Sequence, residues 1–84
     1  MDLSISLNTT AVNIDISLDG RRVLGASGGT HIPCQSGPHT LTWTLSGGQP
    51  NTAYSLVLAG ATNFTENSAL DANGSANGAH QFQV

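Results

Sequence analysis

The chain has 84 residues and a formal net charge of −3; only 8% of its residues are charged, and Arg21 and Arg22 are its whole positive inventory. That length accommodates one hydrophobic core, so residues 1–84 are read as a single domain. Two adjacent arginines cannot neutralise a run of phosphates, and no apolar stretch reaches transmembrane length, which argues against nucleic acid as a partner and against membrane insertion.

Residues 3–7 alternate Leu3, Ile5 and Leu7 with serine, which predicts a strand with one apolar side. Asn8-Thr9-Thr10 reads as a short turn. A second strand follows over 12–18, with Val12, Ile14, Ile16 and Leu18 in one row, and the two are expected to form a hairpin. Asp19-Gly20 is a dipeptide favoured where a two-residue turn needs positive φ, and it returns the chain as a short third strand over 21–24. Gly25-Ala26-Ser27-Gly28-Gly29 is a loop by composition. Residues 30–35 form a short strand carrying Ile32, which Pro33 confines to a sheet edge or a bulge because proline has no N–H to donate.

Ser36-Gly37-Pro38 turns the chain into its clearest strand, 40–46, where Leu41, Trp43 and Leu45 share one side and Thr40, Thr42 and Thr44 the other. Trp43 is therefore expected in the interior. The turn cluster 47–51 leads into residues 52–59, whose Leu56-Val57-Leu58 run predicts a central strand covered on both faces. A weak strand over 61–65, anchored by Phe64, precedes an exposed loop containing Asn73-Gly74 and Asn77-Gly78. In the closing strand, 79–84, His80, Phe82 and Val84 alternate with Gln81 and Gln83. With seven or so strands and no helical period, the expected fold is all-β: a small antiparallel, immunoglobulin-like β-sandwich.

The segment Ile16-Ser17-Leu18-Asp19-Gly20-Arg21-Arg22-Val23, then Ile32-Pro33 and Ser36-Gly37-Pro38-His39-Thr40-Leu41-Thr42, resembles the PEGA-type bacterial surface domain. That family is a small immunoglobulin-like sandwich in which a hydrophobic-Asp-Gly turn precedes a Gly-x-His-hydrophobic strand. The likeness covers about a third of the chain, and Gly-Gly-Thr-His-Ile-Pro stands where the family has Gly-Thr-Pro. The resemblance implies a non-catalytic interaction module and assigns no functional residue.

Several side chains carry chemistry that has to be weighed. His31, Cys34 and His39 are zinc or copper ligand types, but a fourth ligand is missing and alternation sends His31 and Cys34 to opposite sides. The two histidines are expected to flank turns, with Cys34 packing as a small hydrophobe. As the single cysteine, it allows no internal disulfide. Cys34 with His39 could be a nucleophile and its base, yet no acidic residue lies nearby in sequence to orient the pair and no helix N-terminus is available to activate the thiol. No catalytic, metal or cofactor residue is assigned, and the chain is not expected to be an enzyme.

Arg21 and Arg22 adjoin Asp19, so one is expected to pair with it and the other to reach a partner's carboxylate or sulfate. The Thr40, Thr42 and Thr44 ladder resembles an ice-binding array, but it occupies one strand only and is read as cross-strand threonine pairing. Trp43 and Tyr54 raise a sugar-stacking role; both fall on apolar rows, which leaves sugar contact to loop residues such as Asn73 and Asn77. Asn8-Thr9-Thr10, Asn63-Phe64-Thr65 and Asn73-Gly74-Ser75 match the glycosylation acceptor pattern, as chance alone produces in a chain so rich in Asn, Ser and Thr.

The functional expectation is a non-enzymatic protein–protein module, self-associating as a homo-oligomer or serving as a subunit of a larger assembly. Sheet edges without lysines pair readily with another chain, and the expected contact elements are the strand over 3–7 and the strand around Phe82. The alternative is a small carbohydrate-binding module using the Asn- and Gly-rich loops. A surface of hydroxyls and amides fits an extracellular, periplasmic or particle-surface setting, but no basic, apolar leader is visible, which leaves the compartment open.

Overall fold

The computed structural model describes all residues, Met1–Val84. Eight strands follow in chain order: β1 (Asp2–Asn8), β2 (Asn13–Leu18), β3 (Arg21–Leu24), β4 (Gly28–Pro33), β5 (Pro38–Ser46), β6 (Ala53–Gly60), β7 (Phe64–Ala69) and β8 (Ala76–Gln83). They form two antiparallel four-stranded sheets, ordered β4-β1-β6-β7 and β3-β2-β5-β8, packed face to face as a β-sandwich. No helix is long and apolar enough to cross a membrane.

The alternating rows explain the layers. Leu3, Ile5 and Leu7 of β1 and Tyr54, Leu56 and Leu58 of β6 form the inner face of one sheet. Ile14 and Ile16 of β2, with Leu41, Trp43 and Leu45 of β5, form the inner face of the other. Ala11, Cys34 and Leu70 enter the same core from connections, and no polar or charged side chain is buried in it. Each fully buried side chain of this size stabilises the fold by roughly 1.5–3 kcal/mol.

Several expectations need correction. The strands over 3–7 and 12–18 do not form a hairpin: β1 and β2 lie in different sheets, so their apolar rows face each other across the core instead of lying side by side. Val12 is 73% exposed and precedes β2. Gly28 and Gly29 belong to β4, where Gly29 pairs with Ser6. β6 is central but not covered on both faces, since Val57 is 39% exposed on the outer side. β7 starts only at Phe64 and continues to Ala69. The threonines of β5 face Ser17, Asp15, Asn77, Ala79 and Gln81 across the ladder, never another threonine.

The expected loop before the last strand is short and tied down. The Asp71 carboxylate accepts hydrogen bonds from the N–H groups of Asn73 (2.8 Å) and Ser75 (3.0 Å), an Asx-type turn, and Gly48 N–H donates to the Gly74 carbonyl at 3.1 Å. Gly74 is buried with φ of 75°, and a Cβ there would strike the Gly48 carbonyl oxygen. By Ala76 the chain is already in β8. At the other tight turn, Asp19 and Gly20 have φ of 53° and 85°, as the Asp-Gly signature requires.

Trp43 is 3% exposed and lies opposite Gly78 of β8. The indole covers this glycine so closely that a Cβ on residue 78 would run into the Trp43 ring. Gly78→Ala is therefore expected to destabilise the fold by about 1–3 kcal/mol through overpacking. Urea unfolding followed by tryptophan fluorescence measures this; an unchanged midpoint would show that the indole has room to move.

Candidate functional site

A sandwich of two open sheets has four edge strands, and here they differ in how they are protected. β3 is four residues long and carries both arginines, and β4 ends on Pro33. β7 holds Glu66 opposite the buried Leu56, on a partly buried row, an inward-pointing charge of the kind that discourages edge pairing. β8 has eight residues and neither a proline nor a charged residue apart from the titratable His80.

The register fixes which backbone groups β8 leaves free. Gly37 and Val84 exchange both backbone hydrogen bonds, at 2.9 and 3.0 Å, so they form a hydrogen-bonded antiparallel pair. Counting back from it, Phe82, His80, Gly78 and Ala76 bond to β5, whereas Asn77, Ala79, Gln81 and Gln83 aim their N–H and C=O groups away from it. The side chains of these four are exposed. The free edge is thus lined by amides and one methyl group.

Aromatic rings hold this strand in place. On its inner side His80 stacks on Phe64 of β7 (centroids 4.1 Å apart, planes 17° apart), Phe64 lies 6.2 Å from Trp43, and Phe82 stacks on His39 at 5.4 Å. The Phe64–His80 contact bridges the flank between the two sheets. The Trp43 Nε1–H has no partner, the single buried side-chain polar atom so left.

His39 is clasped from both sides. Its Nδ1 lies 2.6 Å from the Asp19 carboxylate and its Nε2 lies 2.7 Å from the Gln35 carbonyl oxygen. Both neighbours only accept, so the ring satisfies both by carrying two protons. The Gln35 carbonyl first, and the Asp19 carboxylate second, raise the His39 pKa above its ordinary 6.5. In return the His39 hydrogen bond, helped by the Thr40 N–H at 2.9 Å, holds the Asp19 carboxyl below its ordinary 3.8.

The structure separates the remaining candidates. His31 is exposed on the outer face of β4, Cys34 is buried, and His39 is occupied by its clasp; nowhere do three His, Cys, Asp or Glu side chains gather as a metal site would need. Burial raises the Cys34 thiol pKa, which works against a thiolate nucleophile. Neither arginine pairs with Asp19: Arg22 lies 3.8 Å from Asp15, and Arg21 has no ion pair. The strand over 3–7, expected as a contact element, is ruled out as an edge because β1 is paired on both sides. Trp43 and Tyr54 are both buried, while Asn73 sits in the Asp71 turn and Asn77 on the outer side of β8. The acceptor asparagines Asn8, Asn63 and Asn73 are exposed. No protein-family model, curated protein or solved structure matches the chain.

The clasp makes stability depend on pH in both directions. The contribution of His39 is complete below 6.5 and disappears as pH rises through its raised value; that of Asp19 is complete above 3.8 and disappears as pH falls through its lowered value. Both act together between those two ordinary values. An NMR titration is expected to place the His39 ring midpoint above 6.5, and Asp19→Asn to move it down. A wild-type midpoint at or below 6.5 would contradict the clasp.

Proposed function

We propose that this chain is a non-enzymatic interaction module that pairs with a second copy of itself through the free edge of β8. The observation that carries the reading is the eight-residue edge without proline or formal charge, in a molecule whose other three edges are short, proline-terminated or charged. Strand addition supplies a row of main-chain hydrogen bonds, and an antiparallel two-fold arrangement satisfies the same groups on both copies. Centred on Ala79, the pairing would set Asn77 against Gln81 of the second copy, both among the outward-bonding residues. The joined sheet would run to eight strands, with polar side chains on its outer face.

A non-catalytic role agrees with the occupied His39 and the buried Cys34 thiol, and with the PEGA-type resemblance. The fold that carries this role is a sandwich of two antiparallel sheets, with strand order β4-β1-β6-β7 over β3-β2-β5-β8. The sugar-binding alternative has less to draw on, because neither Trp43 nor Tyr54 offers an open ring for stacking.

Self-pairing predicts a mass that rises from one chain to two with concentration in light scattering. Ala79→Lys and Gln81→Lys place a charge on the free edge without touching the β5 ladder, and each is expected to weaken dimerisation at least tenfold while leaving the unfolding midpoint of the monomer nearly unchanged. A wild-type mass of one chain at all concentrations up to about 1 mM would overturn the proposal.

A further inference from the structure

On the opposite flank of the same sheet lies an apolar groove of about 450 Å³, between the β2–β3 hairpin and β4. Leu18, Val23, Ile32 and Pro33 provide its apolar walls, and Arg21, Asp19 and His39 stand along its rim. The register explains why a cation is there. Arg21 is the cross-strand partner of Leu18, so Arg21 belongs to the core-facing row of β3, whereas Arg22, the partner of Ser17, belongs to the outer row beside Asp15. Arg21 is nevertheless exposed, as a long cationic side chain at a sheet edge can be.

The charges on the rim do not cancel evenly. The Asp19 carboxylate is engaged by the His39 ring at 2.6 Å and by the Thr40 N–H at 2.9 Å. Arg21 has neither an ion pair nor a side-chain hydrogen bond, and since Arg22 stands beside Asp15 it is the one unpaired arginine of the chain. A planar fork of N–H donors above an aliphatic floor complements a carboxylate with a hydrocarbon tail.

We infer that this groove binds aliphatic monocarboxylates, with the tail against Leu18, Val23 and Ile32 and the carboxylate on Arg21. The site is separate from the β8 edge, so the inference stands whether or not the chain self-associates. Affinity grows with tail length, by up to about fourfold per methylene placed against the walls. Removing the charge of Arg21 lowers affinity about three- to fivefold, the scale of an exposed ion pair.

The test uses butyrate, hexanoate and octanoate as probes of the intact chain at about pH 6, where His39 is protonated, with 1-octanol as the uncharged control. Methyl resonances of Leu18, Val23 and Ile32 are followed by NMR. Saturable shifts at these methyls, tightening from butyrate to octanoate and weakening in Arg21→Gln, are the expected result. Arg21 is exposed, so the variant folds, and its spectrum verifies this. Octanol binding as tightly as octanoate, equal affinity in Arg21→Gln, or no saturable shift up to about 10 mM would each overturn the inference.

Discussion

Dry contact between two apolar sheet faces is the constraint on which the rest of this molecule depends. With no polar side chain buried and no disulfide, the interior is held together by rows of leucine, isoleucine, tyrosine and tryptophan from the four central strands. A slip of one residue in any of these strands would exchange its apolar row for the residues of its outer face, so the packing sets the register as well as the layers. Hydroxyls and amides are thereby displaced to the outer faces and edges. That arrangement accounts for a surface with so few charges around a core in which the Trp43 Nε1–H is the one unpartnered polar side-chain atom.

The same constraint shapes β8. Its inner row is short of bulk at Ala76 and Gly78, and the Trp43 indole and Phe64 ring fill the space that larger side chains would occupy. Further along, His80 rests on Phe64 and Phe82 on His39. A strand packed against aromatic rings at Gly78, His80 and Phe82 has less conformational freedom left to lose. Pairing another strand with it costs less ordering entropy than pairing with a frayed edge would.

Local features of this fold were legible in the sequence, and long-range ones were not. A two-residue period says which side of a strand is apolar, so the inner row of Leu3, Ile5 and Leu7, and the inward position of Trp43, could be read directly. The Asp19-Gly20 turn and the edge position of Pro33 were legible because backbone chemistry alone determines them. Alternation is silent about neighbours, however. It could not reveal that β1 pairs with β4 and β6 instead of β2, nor that this removes it from the edge. Adjacency in sequence points Asp19 to the arginines, whereas its partner His39 lies twenty residues away on a strand that the fold brings alongside. The groove below Arg21 was illegible for the same reason, since its walls come from β2, β3 and β4.

The Asp19–His39 clasp connects these separate surfaces. Asp19 ends the hairpin that carries Arg21, His39 opens the central strand β5, and the His39 ring supports Phe82 near the end of β8. One protonated imidazole therefore neutralises the carboxylate beside the groove and also buttresses the edge strand across the sheet. Loss of its proton would leave Asp19 uncompensated near Arg21 and would remove a donor from the Gln35 carbonyl. Both effects follow from one titration, and both fall on the groove side of the sheet. His39 reaches both surfaces because β5, which carries it, is paired with β2 on one side and β8 on the other.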